Sequence, residues 1–340
     1  MNKAVSFFLK PFVQCCSIAI VSTIIILLAQ LKLEQNVFAD QLSTVESFDS
    51  SYGFAQDDRA NVVNIKVGLN LQNFTTFNVV ENNFVADVNL LFEFDSDEIS
   101  LKELENFTFS KGEILSKSEP VVNGNFVRYD LRVKFSSNLN YKYFPLQDHK
   151  INITLDNKNL DGKKISFYSD KNSFSVSESL YTPGWKALNA DAKSGVRTIN
   201  LGSGKTLTYP RVVFSVDFMQ GSLKQFIFIS LPILIALLVA LCAFAMSWRR
   251  DFSTIIGLTS ASLAAIVSYR YVIEKVSPKT SYYMLSDHLF TFVLLLIFAI
   301  FFIDIFFRDS LEKHKNARGV IVFIFYFMVI LGWLYLLFIW

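Results

Sequence analysis

Apolar residues in this 340-residue chain are gathered into five long runs, and that distribution decides what the chain can fold into. The runs cover residues 12–31, 226–246, 255–276, 289–307 and 320–340. A helix needs about 20 consecutive apolar residues to cross the ~30 Å hydrocarbon core of a bilayer. The second, fourth and fifth runs meet that requirement with Asp304 as their one charge, and the third is weaker. Residues 40–223 contain no such run and are long enough to bury a core of their own. The composition agrees: 52% of residues are hydrophobic and 18% charged, against about 25% charged in an ordinary soluble domain. A net charge of +2 gives no argument for nucleic acid or for an acidic partner. The three cysteines, Cys15, Cys16 and Cys242, all fall in apolar runs, so residues 40–223 must be held by packing without a disulfide.

Residues 1–39 read as a signal peptide or an N-terminal anchor helix. Lys3 and Lys10 precede the first run, and Val37-Phe38-Ala39 offers small residues where a signal peptidase would cut. Lys32, Leu33, Glu34 and Gln35 separate the run from that site, which keeps the anchor reading open. Arg249 and Arg250 follow the second run, and Arg308, Lys313, Lys315 and Arg318 lie between the last two. The positive-inside rule puts both loops in the cytoplasm, with residues 40–223 and the C-terminus outside. Four spans are expected after the exported domain, at 224–247, 252–276, 284–307 and 319–340. The cytoplasmic side then owns only two short loops, so a response to anything sensed outside must be carried within the membrane or by a partner.

The exported segment alternates apolar and polar residues at 62–69, 84–90, 126–133 and 150–155, and 212–218 leads toward the second apolar run. Short alternating strands separated by polar turns predict a β-sandwich of two antiparallel sheets. The fold class expected is therefore a membrane protein, an all-β extracellular sandwich followed by a four-helix transmembrane bundle. No catalytic constellation can be assembled. His149, His288 and His314 sit in different regions, and there is no glycine-rich phosphate loop, metal cluster or Ser/His/Asp set. Neither an enzyme nor a bound cofactor is expected.

Three features together resemble the pentameric ligand-gated ion channel (Cys-loop receptor) superfamily in its prokaryotic, cysteine-free form. The first is Tyr143-Phe144-Pro145-Leu146-Gln147-Asp148-His149, an apolar hook with a proline turn just before a strand. The second is Pro232, in the middle of the first helix after the sandwich. A proline there leaves a backbone carbonyl without its helical donor, which neighbouring helices can repair in a membrane. The third runs from Ser268 through Tyr271, Glu274, Pro278, Lys279 and Tyr282 to Asp287 and is similar to the outer end of the family's pore helix and the linker after it. The resemblance covers about residues 60–340. It implies five copies around an axis, a lipid membrane of the bacterial inner (plasma) type, inorganic ions as cargo and an unidentified small-molecule ligand between neighbouring sandwiches.

The pore helix falls on residues 252–276. Gly257, Ala261, Ala264, Ser268 and Tyr271 share one helical face, with hydroxyls from Thr254, Thr259, Ser260 and Ser262 nearby. A small, mildly polar stripe survives membrane insertion only where it meets protein or water. Five stripes around an axis would line a pore, whereas Gly257, Ala261 and Ala265 also make the small-xxx-small ladder of a packing helix. Where the family carries an inner basic residue this chain has Ile255, and at its apolar girdle Ala264, so a gate falls at Leu258 or near Tyr271. Arg249 and Arg250 outweigh Asp251 at the inner mouth, which points to anions.

The resemblance further implies that Phe144, Pro145, Leu146 and Asp148, with a turn near 73–76, act on the linker carrying Pro278 and Lys279. Candidate ligand contacts are Phe92, Phe94, Trp185 and Tyr209, each with core packing as the alternative. Asp95, Asp97 and Glu98 form an acidic loop suited to a cation or simply to water. His149 titrates nearest neutral pH, which opens proton gating beside a plain structural role. A receptor of the same architecture that does not conduct, signalling through a membrane partner, is the alternative function.

Overall fold

The computed structural model describes Ser17 and residues 20–31, 62–146, 148–170, 172–202, 205–220, 224–243, 246, 248–307 and 315–338. The proposed cleavage site at 37–39 and the Cys15–Cys16 pair lie outside them. The chain divides into two compact units. One is β-rich and takes in Ala39–Asn140 and Asp148–Gly221; the other is helical and takes in Met1–Phe38, Tyr141–Gln147 and Ser222–Trp340.

An apolar helix α1 (Ile20–Leu31) opens the helical unit, burying Val21, Ile25 and Ala29 at a spacing of four. The β unit follows. Strands β1 (Val63–Asn78) and β2 (Asn83–Glu93) form a hairpin, and a one-turn helix α2 (Leu101–Leu104) comes next. Then come β3 (Thr108–Ser110), β4 (Gly112–Lys117), β5 (Val121–Asn123), β6 (Phe126–Phe135), β7 (His149–Asp156), β8 (Ile165–Tyr168), β9 (Phe174–Val176), β10 (Trp185–Asn200) and β11 (Thr206–Gln220). Seven strands make one sheet, with the path β4-β6-β2-β1-β8 and with β5 on β6 and β9 on β1. The other four make a second sheet in the order β10-β11-β7-β3.

The alternation in the sequence decides which face is buried. In β2, Phe84, Ala86, Val88, Leu90 and Phe92 all point inward while the residues between them do not. On β7 the same parity buries His149 with Ile151, Ile153 and Leu155. Aromatic rings close the space between the sheets: Phe218 of β11 lies 5.9 Å from Phe74 and 5.0 Å from Phe77 of β1, and Phe214 lies 5.2 Å from Phe174 of β9. The turn expected at 73–76 is instead strand. β1 runs on to Asn78 through two register shifts, between Leu71 and Asn73 and between Phe74 and Thr76, and the reversal comes at residues 79–82. Bulges keep a strand paired while bending it, which a local run of polar residues does not distinguish from a turn.

The helical unit continues with α3 (Lys224–Cys242), α4 (Trp248–Val276), α5 (Leu285–Phe306) and α6 (Lys315–Phe338). α4 breaks at Asp251, whose backbone is non-helical (φ −116°, ψ 22°), so its apolar part is Asp251–Val276. All four are long and apolar enough to cross a membrane, the mark of an integral membrane protein. α3 packs on α4 and α5, α4 on α5, and α6 on α5. Phe226 of α3 meets Trp333 of α6 edge to face at 5.8 Å. At Gly332 the α5–α6 approach leaves no room for a side chain, because Phe292 already occupies the place of a Cβ.

Candidate functional site: the stripe on α4 and the hook on α5

The outward faces of the four long helices differ in kind. α3 exposes Phe228, Leu231 and Ile235; α5 exposes Leu295, Phe298 and Phe302; α6 exposes Phe323, Phe327 and Leu331. Such faces suit lipid. α4 exposes Ser253, Thr254, Gly257, Ser260, Ala261, Ala264 and Ser268, with Val267, Tyr271 (71% exposed) and Val272 toward its C-terminal end. The five residues singled out from the sequence, Gly257, Ala261, Ala264, Ser268 and Tyr271, therefore share one exposed face of the single chain. Among the described residues, beyond the surrounding turns of its own helix, nothing lies within 4 Å of a Cβ built on Gly257. The inward face of α4 is Ile255, Thr259, Ser262, Ile266 and Ile273.

Two of the hydroxyls placed near the stripe belong to that inward face. Thr259 Oγ1 donates to the Ile255 carbonyl at 3.1 Å and Ser262 Oγ to the Leu258 carbonyl at 2.9 Å. Bonding back to its own helix is how a buried Ser or Thr satisfies its hydroxyl. Thr254 and Ser260 remain on the outside. The side chains of Arg249 and Arg250, expected from the sequence at the inner mouth, lie outside the described residues.

The C-terminal half of α4 is pinned on both sides. Pro232 in α3 cannot donate to the carbonyl four residues earlier, that of Phe228. Tyr269 of α4 takes over, its hydroxyl donating to the Phe228 carbonyl at 2.7 Å. The next residue, Arg270, pairs with the Asp287 carboxylate of α5 and, at 3.2 Å, with Glu274 one turn on. The Arg270 guanidinium also lies over the Phe290 ring, 5.4 Å from its centroid.

The hook belongs with the helices. Phe144, Pro145 and Leu146 are buried, and Phe144–Pro145 is a cis peptide. Its backbone meets the start of α5. A helix leaves its first amides without intrahelical acceptors, and here the carbonyls of Lys142 and Phe144 accept from Leu285 at 2.9 Å and from Ser286 at 3.1 Å. Asp287, third in the helix, accepts from the Met284 amide at 2.9 Å. The Tyr141 amide donates to Tyr282 Oη at 2.9 Å. The hook thus meets Tyr282, at the end of the linker that carries Pro278 and Lys279, and also the first turn of α5 beyond it. Pro278 is buried and Lys279 exposed. Asp148 is half-buried and belongs to the β unit, so the six coupling candidates divide between the units.

The aromatic ligand candidates do not meet in one place. Phe92, Phe94 and Tyr209 are in the core of the β unit, Phe92 against Phe107, Tyr129 and Phe167 at 5.6–6.3 Å. Trp185 is half-buried and lies 5.3 Å from the His149 ring. Burial pushes the His149 imidazole down to about 3, so it is neutral at physiological pH and fills a structural place. Asp95, Asp97 and Glu98 form an exposed turn, closed by the Asp97 amide on the Asp95 carboxylate at 3.0 Å. The β unit also holds an open cavity of 710 Å³ between β1 and residues 175–181, lined by Asn70, Gln72, Asn73, Ser177 and Tyr181 among others, and by none of the candidates.

A buried ion pair was not expected from the sequence. Arg211 of β11 binds Asp156 of β7 through two nitrogens at 2.6 and 2.8 Å, with both side chains under 10% exposed. The two residues are directly opposed across the strand pair, and only that register, between strands far apart in sequence, brings them together. No family model matches the chain, and no curated protein matches it.

Proposed function

We propose that this chain is one subunit of a ligand-gated ion channel, a homopentamer in which α4 lines the pore. The observation that carries the reading is the face of α4. It is the least apolar of the four long helices and also the least buried in the single chain. Exposed serines, threonines and small residues gain nothing from lipid, and a ring of copies would turn them toward water along an axis. In this reading the β unit is an all-β sandwich outside the membrane, the four helices are a bundle, and ligand binds between neighbouring β units. The ligand need only favour the open state over the closed one.

Class averages of the detergent-purified protein, viewed down the membrane normal, test the assembly. A five-fold ring is expected, and a monomer or dimer overturns the reading. Conductance in planar bilayers tests the pore: Ala261→Trp should block it with the ring intact, and Phe327→Trp on the outward face of α6 should leave it unchanged.

Ala264 favours a second reading. It is exposed in the middle of the stripe and offers no bulk to close a pore. A ring that passes no ions with any ligand that binds it would identify a receptor that signals through a membrane partner.

A further inference from the structure

We infer that Asp287 is the positioning residue that joins the hook at residues 141–146 to the outer half of α4, so that hook, first turn of α5 and Arg270 move as one body. The inference rests on the channel reading for its purpose, since α4 is there the pore helix, but its geometry is independent of conduction.

Asp287 has two oxygens and uses them in two directions. Oδ2 accepts from the Met284 amide at the cap of α5, and Oδ1 pairs with Arg270 of α4. The side chain is 8% exposed, against 33% for Arg270, so the pair is shielded on the carboxylate side. Charge-assisted bonds of this sort are about twice as strong as neutral ones. On the far side of the same helical turn, the amides of Leu285 and Ser286 are held by the carbonyls of Lys142 and Phe144. A displacement of the hook therefore pulls on the amides of α5 and, through Asp287, on Arg270. Tyr269, the neighbour of Arg270, is at the same time held by the Phe228 carbonyl of α3. The outer end of α4 thus has a fixed side on α3 and a driven side on α5, an arrangement that turns a pull into a tilt. The route runs through the helix after α4, and the exposed linker residues Lys279 and Ser281 stand outside it.

Amide hydrogen exchange on the full-length protein in lipid nanodiscs tests this without a ligand. Asp287→Asn should speed exchange about tenfold in two separate peptides, one covering residues 141–146 and one covering the last turns of α4, as the loss of one charge-assisted bond predicts. Arg270→Gln should do the same, since Arg270 reaches the hook's partner helix through Asp287, and the double variant should show no further increase. A merely local role for Arg270 would leave the hook unchanged. Tyr282→Phe, which removes the acceptor of the Tyr141 amide, should loosen the hook and, because coupling is reciprocal, the last turns of α4 as well, both more weakly than Asp287→Asn. The inference is overturned if Asp287→Asn leaves either peptide at the wild-type rate, or if the two single effects multiply in the double variant. A protein that forms no ring yet shows the coupled exchange overturns the channel reading alone.

Discussion

The β unit and the helical unit treat their polar groups in opposite ways. In the β unit, Arg211 and Asp156 are both removed from water and meet across one strand pair, so the charges are closed within the unit. The helical unit sends polar side chains from one helix to the next, Tyr269 to α3 and Arg270 to α5, folds Thr259 and Ser262 back on their own helix, and leaves Thr254, Ser260 and Ser268 on the outward face of α4. The β unit settles the Arg211–Asp156 charges alone, whereas the helical unit has a face that none of its described residues covers.

The largest effect should come from breaking the closed pair. Asp156→Asn leaves the Arg211 guanidinium buried without its counter-charge, at a cost of about 3–5 kcal/mol. Arg132 and Asp87 form a pair at 2.7 Å on the surface of the same unit, with Arg132 half exposed. Arg132→Gln should therefore cost less than about 1 kcal/mol. Chemical unfolding followed by the β-sheet circular dichroism signal compares the two, and equal losses would break the contrast between buried and exposed pairs.

A smaller effect follows from His149. Its folded imidazole titrates at about 3, pushed down by burial, and in the unfolded chain it returns to about 6.5. Above that value both states are neutral and the residue costs nothing. Below it the unfolded chain gains a proton that the folded one refuses, so stability falls as pH drops from about 6.5 toward 3. The loss should reach about 2–3 kcal/mol by pH ~4.5. Comparing wild type with His149→Gln isolates the contribution, and identical pH profiles would show that the site accepts a proton after all.

The smallest concerns the pin between helices. Tyr269→Phe leaves the Phe228 carbonyl without the donor it has in place of Pro232, at a cost of about 1–2 kcal/mol. Pro232→Ala restores a backbone donor to that carbonyl. Thermal unfolding of the single and double variants should show Tyr269→Phe harmless in the Pro232→Ala background. An equal cost in both backgrounds would mean that the tyrosine does not answer the proline.

Much of this architecture was legible in residue patterns. The period-two alternation at 84–90 and 126–133 names the buried faces of β2 and β6, and the apolar runs place α3 to α6 to within a few residues. The burial of His149 was readable too, since it shares parity with Ile151 and Ile153. The small-residue face of α4 was readable because a helix repeats on a single strip of sequence. What escaped depends on contacts between distant segments. Arg211 and Asp156 meet only through the register of β11 on β7, and nothing local to Asp287 shows that Arg270 and the hook converge on it. Thr259 and Ser262 were placed near the stripe because a hydroxyl on a helix can face outward or fold back on its own backbone with the same spacing.

The place of the hook has a consequence for how the protein is made. Residues 141–146 leave the ribosome long before the turn that receives them: the Tyr141 amide finds its acceptor on a side chain 141 residues later. Until Tyr282 and the first turn of α5 exist, the bonds they make with Tyr141, Lys142 and Phe144 cannot form, and α5 in turn begins with amides whose acceptors were synthesised much earlier. A chain cut at residue 221 would keep the loop and lose its seat for good. The boundary between the units is thus not a point along the chain, and separating them at the junction before α3 would leave both halves with a greasy or unsatisfied edge.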